Sequence, residues 1–337
     1  MKILITGAAG GIGSSLSNVL KNNHKLILVD NLRNGHLKNL NIDLIDSLYQ
    51  YDINSKEFEE LFELEKPDIV IHLAAVTSLP DCETNVSDCF RINVEGTASV
   101  LNCCKKYGVS KFIFSSTSAI YENNVINDGF KEDEETNPTL FYSLSKKMAE
   151  DICRSYRENY KIDIVIFRFF NVFGPNQDMH RKNPPLINYI VREFDNNRQP
   201  ILHSDGKQSR DYIYIDDVIK AIEQSFTHKF ENDYLFNLCS GKIVSVNEIV
   251  DVIKKTNDQF KNIDVLFKPS DMLWNTYPKL FEGEFNLSKE RVSKETNKFS
   301  LGSSEKFENV FGWSPSKEIK DRIEYTVETI IKNKNKN

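Results

Sequence analysis

Five short apolar runs alternate with helix-period stretches in the first half of this 337-residue chain, and that alternation limits its fold more than any other feature. The runs are KILIT (Lys2–Thr6), KLILVD (Lys25–Asp30), DIVIHLA (Asp68–Ala74), KFIFSS (Lys111–Ser116) and DIVIFRFF (Asp163–Phe170). They are almost continuously apolar, as strands buried on both faces of a parallel sheet are. Helical spacing fills the intervals at about Ile12–Asn22, Ser55–Leu64, Cys89–Lys106 and Leu144–Asn159. Strand, helix, strand in this order predicts a doubly wound α/β sheet.

The pattern loosens after Asn171, where Pro175, Pro184, Pro185 and Pro200 interrupt it. Helices are expected near Leu186–Asn196, Asp216–Phe226 and Val246–Thr256. The economical reading is a nucleotide-binding domain over 1–170, with 212–240 returning to it, and a smaller mixed α/β lobe from 171–211 and 241–330. The stretch Lys268–Gly302 carries few periodic signals, and 331–337 reads as a frayed tail. A net charge of −6 argues against a nucleic-acid partner. The six cysteines have neither C-x-x-C nor zinc-ligand spacing, so no metal is expected, and they read as reduced thiols in a cytoplasmic protein. No apolar run reaches the roughly 20 residues of a membrane helix, and no signal peptide is apparent.

The first run leads directly into Thr6-Gly7-Ala8-Ala9-Gly10-Gly11-Ile12-Gly13. Gly7 suits a tight turn, Gly10 lets the backbone approach a pyrophosphate, and Gly13 lets the next helix sit close to the sheet. The free N–H groups of that helix then face the anion. Asp30 ends the next run, where it can accept from both hydroxyls of an adenosine ribose; a solvated loop carboxylate is the alternative. A 2′-phosphate would meet like charge there, which favours NAD over NADP, although Arg33 nearby works the other way. Asp52-Ile53 suits either the adenine edge or an Asx turn.

Tyr142-Ser143-Leu144-Ser145-Lys146 puts a phenol and an ammonium four apart, on one helix face. An ammonium lowers a neighbouring phenol's pKa, which makes Tyr142 a candidate base. Tyr107–Lys111 has the same spacing, but it spans Gly108 at a helix end and is taken as coincidence. Thr117, at the carboxyl end of the Lys111–Ser116 run, can offer a hydroxyl to the same ligand, or merely form a turn.

Taken together, these motifs resemble the extended short-chain dehydrogenase/reductase family, in particular its NAD-dependent epimerase/dehydratase branch. The resemblance covers about residues 1–245 and includes His72-Leu73-Ala74-Ala75, Asn93–Thr97, Ser115–Tyr121, Arg168–Pro175 and Arg210-Asp211-Tyr212. It implies a Rossmann-type domain with Gly7, Gly10, Gly11, Ile12 and Gly13 at the pyrophosphate. Asp30, Asn31 and Asn34 would hold the adenosine ribose, and Asp52, Ile53, Leu73, Ala74 and Ala75 would line the rest of the cofactor. Tyr142 becomes the general base, Lys146 the lysine on the nicotinamide ribose, Thr117 the hydroxyl on the reacting sugar and Phe170 a nicotinamide contact. Ser78, Asn171 and Arg210 become substrate contacts. The residues themselves leave a loop-capping role open for Asn171, and an ion pair with Asp211 or Asp216 open for Arg210. The family also implies a homodimer through the Cys89–Lys106 and Leu144–Asn159 helices.

Dehydratases and decarboxylases of this branch carry acidic residues just after the catalytic threonine, whereas this chain has Thr117-Ser118-Ala119. The resemblance therefore implies a nucleotide-sugar 4-epimerase, acting on a UDP-hexose, a UDP-N-acetylhexosamine or a UDP-uronate. A 4-keto-sugar reductase, a dehydratase and a non-catalytic NAD-binding scaffold are the alternatives. No R-x-G-D-like diphosphate motif occurs around Lys268–Arg291; Lys279 and Arg291 are the basic candidates there, and the nucleotide base stays open.

Overall fold

The computed structural model describes residues 1–124, 128–160, 162–179 and 181–334. Among the described residues twelve strands run in chain order: β1 (Lys2–Thr6), β2 (Lys25–Val29), β3 (Leu48–Tyr49), β4 (Ile69–His72), β5 (Lys111–Thr117), β6 (Asp163–Phe169), β7 (Asn171–Phe173), β8 (Ile201–His203), β9 (Ser209–Tyr214), β10 (Leu235–Leu238), β11 (Ile243–Ser245) and β12 (Leu266–Lys268). Seven of them form one sheet in the order β10-β6-β5-β4-β1-β2-β3, and every neighbouring pair in it is parallel.

Alternate residues of each strand enter opposite cores. Ile3, Ile5, Leu26, Leu28, Ile69 and Ile71 pack on one face, while Leu4, Ile27, Val29, Val70, Phe112 and Phe114 pack on the other. This is why the runs are continuous in sequence: neither face meets water. The strand order reverses between β1 and β4, and in such sheets ligands bind beyond the carboxyl ends at that point.

The expected 163–170 strand is divided. β6 ends at Phe169, and the chain then moves into a three-stranded sheet, β11-β9-β7. Phe170 and Asn171 therefore sit where the two sheets meet. The expected Cys89–Lys106 helix is also divided: a π-helical segment, Arg91–Glu95, separates helices Val86–Phe90 and Gly96–Tyr107. The helix expected from Leu144 starts earlier and spans Phe141–Tyr160, so Tyr142 lies in its first turn. The weakly patterned 268–302 stretch holds two 3₁₀ turns and a helix, Lys289–Asn297.

Two expectations are corrected. The tail expected at 331–337 is helical as far as Lys334, within a helix Ile319–Lys334 whose Ile319, Ile323 and Val327 anchor it in the core; residues 335–337 lie outside the described residues. The cysteines are not all reduced thiols. Cys82 and Cys89 form a disulfide, because helices Leu79–Thr84 and Val86–Phe90 bring their Cα atoms within 5.1 Å, inside disulfide range. Cys103, Cys104, Cys153 and Cys239 are free and buried.

Candidate active site

A cavity of about 490 Å³ opens where β1 and β4 part, and the glycine turn forms one wall. Gly7 leaves β1 at φ +70°, and a Cβ on it would stand 2.9 Å from Ala74 N. The helix Gly11–Leu20 begins without a side-chain cap and with no acidic residue in its first turn, so its N–H groups remain available to an anion. A Cβ at Gly13 would lie 2.1 Å from the Gly7 carbonyl oxygen. Only hydrogen fits there, which is how the helix comes close enough to the sheet to point at the turn.

Asp30 ends β2 and is 8% exposed. Its carboxylate accepts from Ala9 N at 3.0 Å and from Leu32 N at 2.8 Å, the latter allowed by a left-handed Leu32 at φ +59°. Burial pushes this carboxyl above its usual range despite both bonds. Arg33 is tied to Asp88; Asp88 also meets Arg91 at 3.3 Å, and Arg91 meets Asp52 at 3.4 Å. Its guanidinium is thus already paired, which removes the main objection to NAD. Asp52 forms the Asx-type bond, accepting from Asn54 N at 2.9 Å, and also lines the cavity.

At the other end stand Thr117, Tyr142 and Lys146. Thr117 closes β5, its Oγ1 accepting from Ala119 N at 3.1 Å, and it shares the cavity wall with Tyr142. Lys146 is 3% exposed, with Nζ 4.3 Å from the Phe114 ring centroid. Burial lowers its pKa to about 8. His72, buried outside the lining, sits between Thr6 Oγ1 at 2.7 Å and Thr97 Oγ1 at 3.2 Å; burial, then the charge of Lys146, drops it to about 3, so it is neutral. Tyr142 differs from the sequence expectation. Its pKa is raised, because burial outweighs both the Thr117 hydroxyl and the charge of Arg181.

The cavity gathers Gly7, Gly10, Gly11, Ile12, Gly13, Asp30, Asn31, Asn34, Asp52, Ile53, Leu73, Ala74, Ala75, Thr117, Tyr142, Lys146, Phe170 and Asn171. Two expected substrate contacts are not in its lining. Ser78 caps the Leu79–Thr84 helix, accepting from Asp81 N at 3.4 Å. Arg210 donates to Glu295 O at 2.8 Å and Thr296 O at 3.4 Å, closing the end of the Lys289–Asn297 helix, rather than pairing with Asp211 or Asp216. Asp211 instead accepts from Ser240, Gly241 and Gly302. Arg291 pairs with Glu122 at 2.9 Å, and Lys279 is exposed; neither lines the cavity. Lys111 of the coincidental Tyr107–Lys111 pair meets Asp163 at 3.0 Å and takes no part in the cavity.

Sequence reasoning missed Thr77, Gln177, Asp178, Arg181 and Tyr212, all of which line the cavity. Arg181 donates to Asn183 O at 2.7 Å and reaches Thr77 Oγ1 at 3.5 Å. Its surroundings in sequence have no period or motif, so nothing marked it. The arrangement suits a dinucleotide stretched from the glycine turn to Lys146, with a polar reactant against Thr117 and Tyr142.

Comparison with known proteins agrees. The NAD dependent epimerase/dehydratase family matches residues 3–239. A protein named putative UDP-glucose 4-epimerase from Methanocaldococcus jannaschii is 34% identical over 255 residues, covering 75% of this chain and 81% of that one. A dTDP-D-glucose 4,6-dehydratase from Dictyostelium discoideum is 36% identical over 240 residues, 66% of this chain but only 54% of the relative's length. Among solved structures, the UDP-glucose 4-epimerase of Thermotoga maritima with UDP-glucose superimposes with a TM-score of 0.85 at 29% identity, over 99% of both chains.

Proposed function

This chain belongs to the NAD-dependent epimerase/dehydratase family, with NAD as its cofactor, and from that premise we propose that it is a nucleotide-sugar 4-epimerase acting by transient oxidation at C4. The observation that carries the reading is the meeting of Thr117, Tyr142 and Lys146 in the cavity that begins at the glycine turn. Relatives named for UDP-sugars favour a UDP-hexose, UDP-N-acetylhexosamine or UDP-uronate as substrate. A homodimer through the Gly96–Tyr107 and Phe141–Tyr160 helices belongs to the same reading; Met148 and Tyr160 are exposed on the second of them.

Bound NAD supplies the acceptor, and then the donor, of hydride at the sugar carbon. The protein handles the proton. Tyr142 takes it from the 4-hydroxyl, which Thr117 holds by hydrogen bond, and gives it back after the 4-keto sugar has turned over. Lys146 would hold the nicotinamide ribose, and its ammonium, when protonated, would favour the phenolate. A dehydratase needs a carboxylate near the reacting hydroxyl. The first acidic residue after Thr117 is Glu122, and its carboxylate is engaged by the 139–143 segment and Arg291. The acidic lining residues are Asp30, Asp52 and Asp178, and Asp178 faces His36 at 3.3 Å.

The test is incubation of purified protein with UDP-galactose, UDP-N-acetylgalactosamine and UDP-glucuronate, read by NMR at C4. Inversion of at least one is expected, without build-up of NADH, and with loss of turnover in Tyr142→Phe. Stoichiometric NADH and no inversion of any of the three would sink the reading.

A further inference from the structure

The catalytic helix cannot start itself. Leu140 stands at its N-cap, where its carbonyl accepts from Leu144 N at 2.9 Å, and a leucine side chain cannot accept the orphaned N–H groups of a first turn. Of two carboxylates from distant parts of the chain, Glu83 takes a first-turn N–H and Glu122 ties the residues just before the turn to Ser143 within it. Glu83 Oε1 accepts from Phe141 N at 2.7 Å. Glu122 Oε1 accepts from Leu140 N at 2.9 Å, from Thr139 Oγ1 at 3.0 Å and from Thr139 N. Its Oε2 accepts from Ser143 Oγ at 2.9 Å. Residues on both sides of Tyr142 are thus tied to one side chain, which itself sits directly after the Ser115–Tyr121 segment carrying Thr117.

The Glu122 side chain is fully buried, so its charge needs a partner. Arg291, from the first turn of the Lys289–Asn297 helix, supplies it at 2.9 Å. The same helix holds Arg210 at its last-turn carbonyls and reaches the 118–124 segment again through Lys294 and Asn123 at 2.9 Å.

We propose that Glu122 is the positioning residue for Tyr142, and that Arg291 locks that position to the Lys289–Asn297 helix. The proposal rests on Tyr142 being the general base. Displacing a reacting group by about 1 Å costs on the order of 100-fold in rate, and freeing the 139–143 segment permits a shift of that size.

The experiment uses the full-length holoprotein and whichever of the three UDP-sugars named above the wild type inverts fastest. Glu122→Ala should lower kcat roughly 100-fold while KM and bound NAD stay within about twofold of wild type. Glu122→Gln keeps an oxygen for Thr139 and Leu140 and should lose only about tenfold. Arg291→Met should lose about tenfold as well, and the double variant Glu122→Gln/Arg291→Met should be no slower than Glu122→Gln alone, because the pair acts as a unit. Wild-type kcat in Glu122→Ala overturns the proposal, as does a fall in kcat matched by loss of NAD or by a rise in KM. If Glu122→Ala does not fold, wild-type kcat in both Glu122→Gln and Arg291→Met overturns it. Tyr142→Phe is the reference: full turnover in that variant removes the premise, whereas an inactive Tyr142→Phe beside a fully active Glu122→Ala removes this inference alone. Wild-type inactivity on all three sugars overturns both.

Discussion

Gly10 and Gly13 lie three residues apart in one turn, yet adding a methyl group to each should do different things. A Cβ at Gly13 would lie 2.1 Å from Gly7 O and 2.8 Å from Ala8 Cα, both backbone atoms. Carbon–oxygen contacts begin near 3.3 Å, so the helix and the turn must separate by about 1.2 Å. Overpacking of that kind costs about 1–3 kcal/mol, and rigid backbone on both sides puts Gly13→Ala at the upper end. At roughly 2 °C per kcal/mol for a chain of this size, cofactor-free protein should melt about 6 °C lower. At Gly10 the nearest atom to an added Cβ is Gly7 O at 3.3 Å, and φ is −73°, where alanine is at ease. Cofactor-free Gly10→Ala should therefore melt within about 1 °C of wild type. Its methyl group intrudes instead where the pyrophosphate approaches. Saturating NAD at about 100 times its dissociation constant stabilises wild type by about 2.7 kcal/mol, and that gain should vanish in Gly10→Ala. The assay is calorimetry of stripped protein with and without NAD. A stripped Gly13→Ala that melts with wild type, or a Gly10→Ala that gains as much from NAD as wild type, refutes the reasoning.

Burial lowers Lys146 in the folded state to about 8, below its unfolded value of 10.5, so the unfolded chain holds the extra proton between those values. Stability of the cofactor-free protein should rise over that window by about 3 kcal/mol relative to Lys146→Met, read from urea midpoints at its two ends; a flat difference would count against a buried ammonium. The proposed homodimer predicts a sedimenting mass of twice the monomer's at micromolar concentration, and a monomeric profile would remove it.

The large sheet was legible because its signal is local. A strand buried on both faces needs apolar residues on both, and the central positions of β1, β2, β4, β5 and β6 are an unbroken apolar run. The glycine turn was legible for a similar reason: Gly7 and Gly13 each answer a backbone constraint that other residues break, and Gly10 keeps the pyrophosphate approach open. The rest of the site depends on tertiary distance. Leu140 offers no cap, and nothing near it in sequence says that Glu83 and Glu122 will serve. Arg181 lies in an irregular loop and reaches the cavity only because Phe170 carries the chain from one sheet to the other. Ser78 and Arg210 differ in the opposite sense, since neither lines the cavity. Their residue types suit ligand binding, but a helix N-terminus claims one and a helix C-terminus the other. The Cys82–Cys89 pair was read from composition alone, which carries no information on which helices will approach.

The departure at Tyr142 says most about how the site works. Burial moves each nearby group toward neutrality: the phenol of Tyr142 up, the ammonium of Lys146 down, the imidazole of His72 down. A phenolate beside an ammonium is therefore not the resting state, because both charges are penalised before they can attract. The same low dielectric makes any cation that does arrive count for more. Arg181 already pulls the phenol in the right direction without outweighing burial. One further positive charge in the cavity, of the sort an oxidised nicotinamide carries, acts at short range and with little screening. The base is then made by cofactor binding rather than by the Tyr-x-x-x-Lys spacing alone. It follows that emptying the glycine turn should silence Tyr142 as a base even where every atom of Tyr142 and Lys146 stays in place.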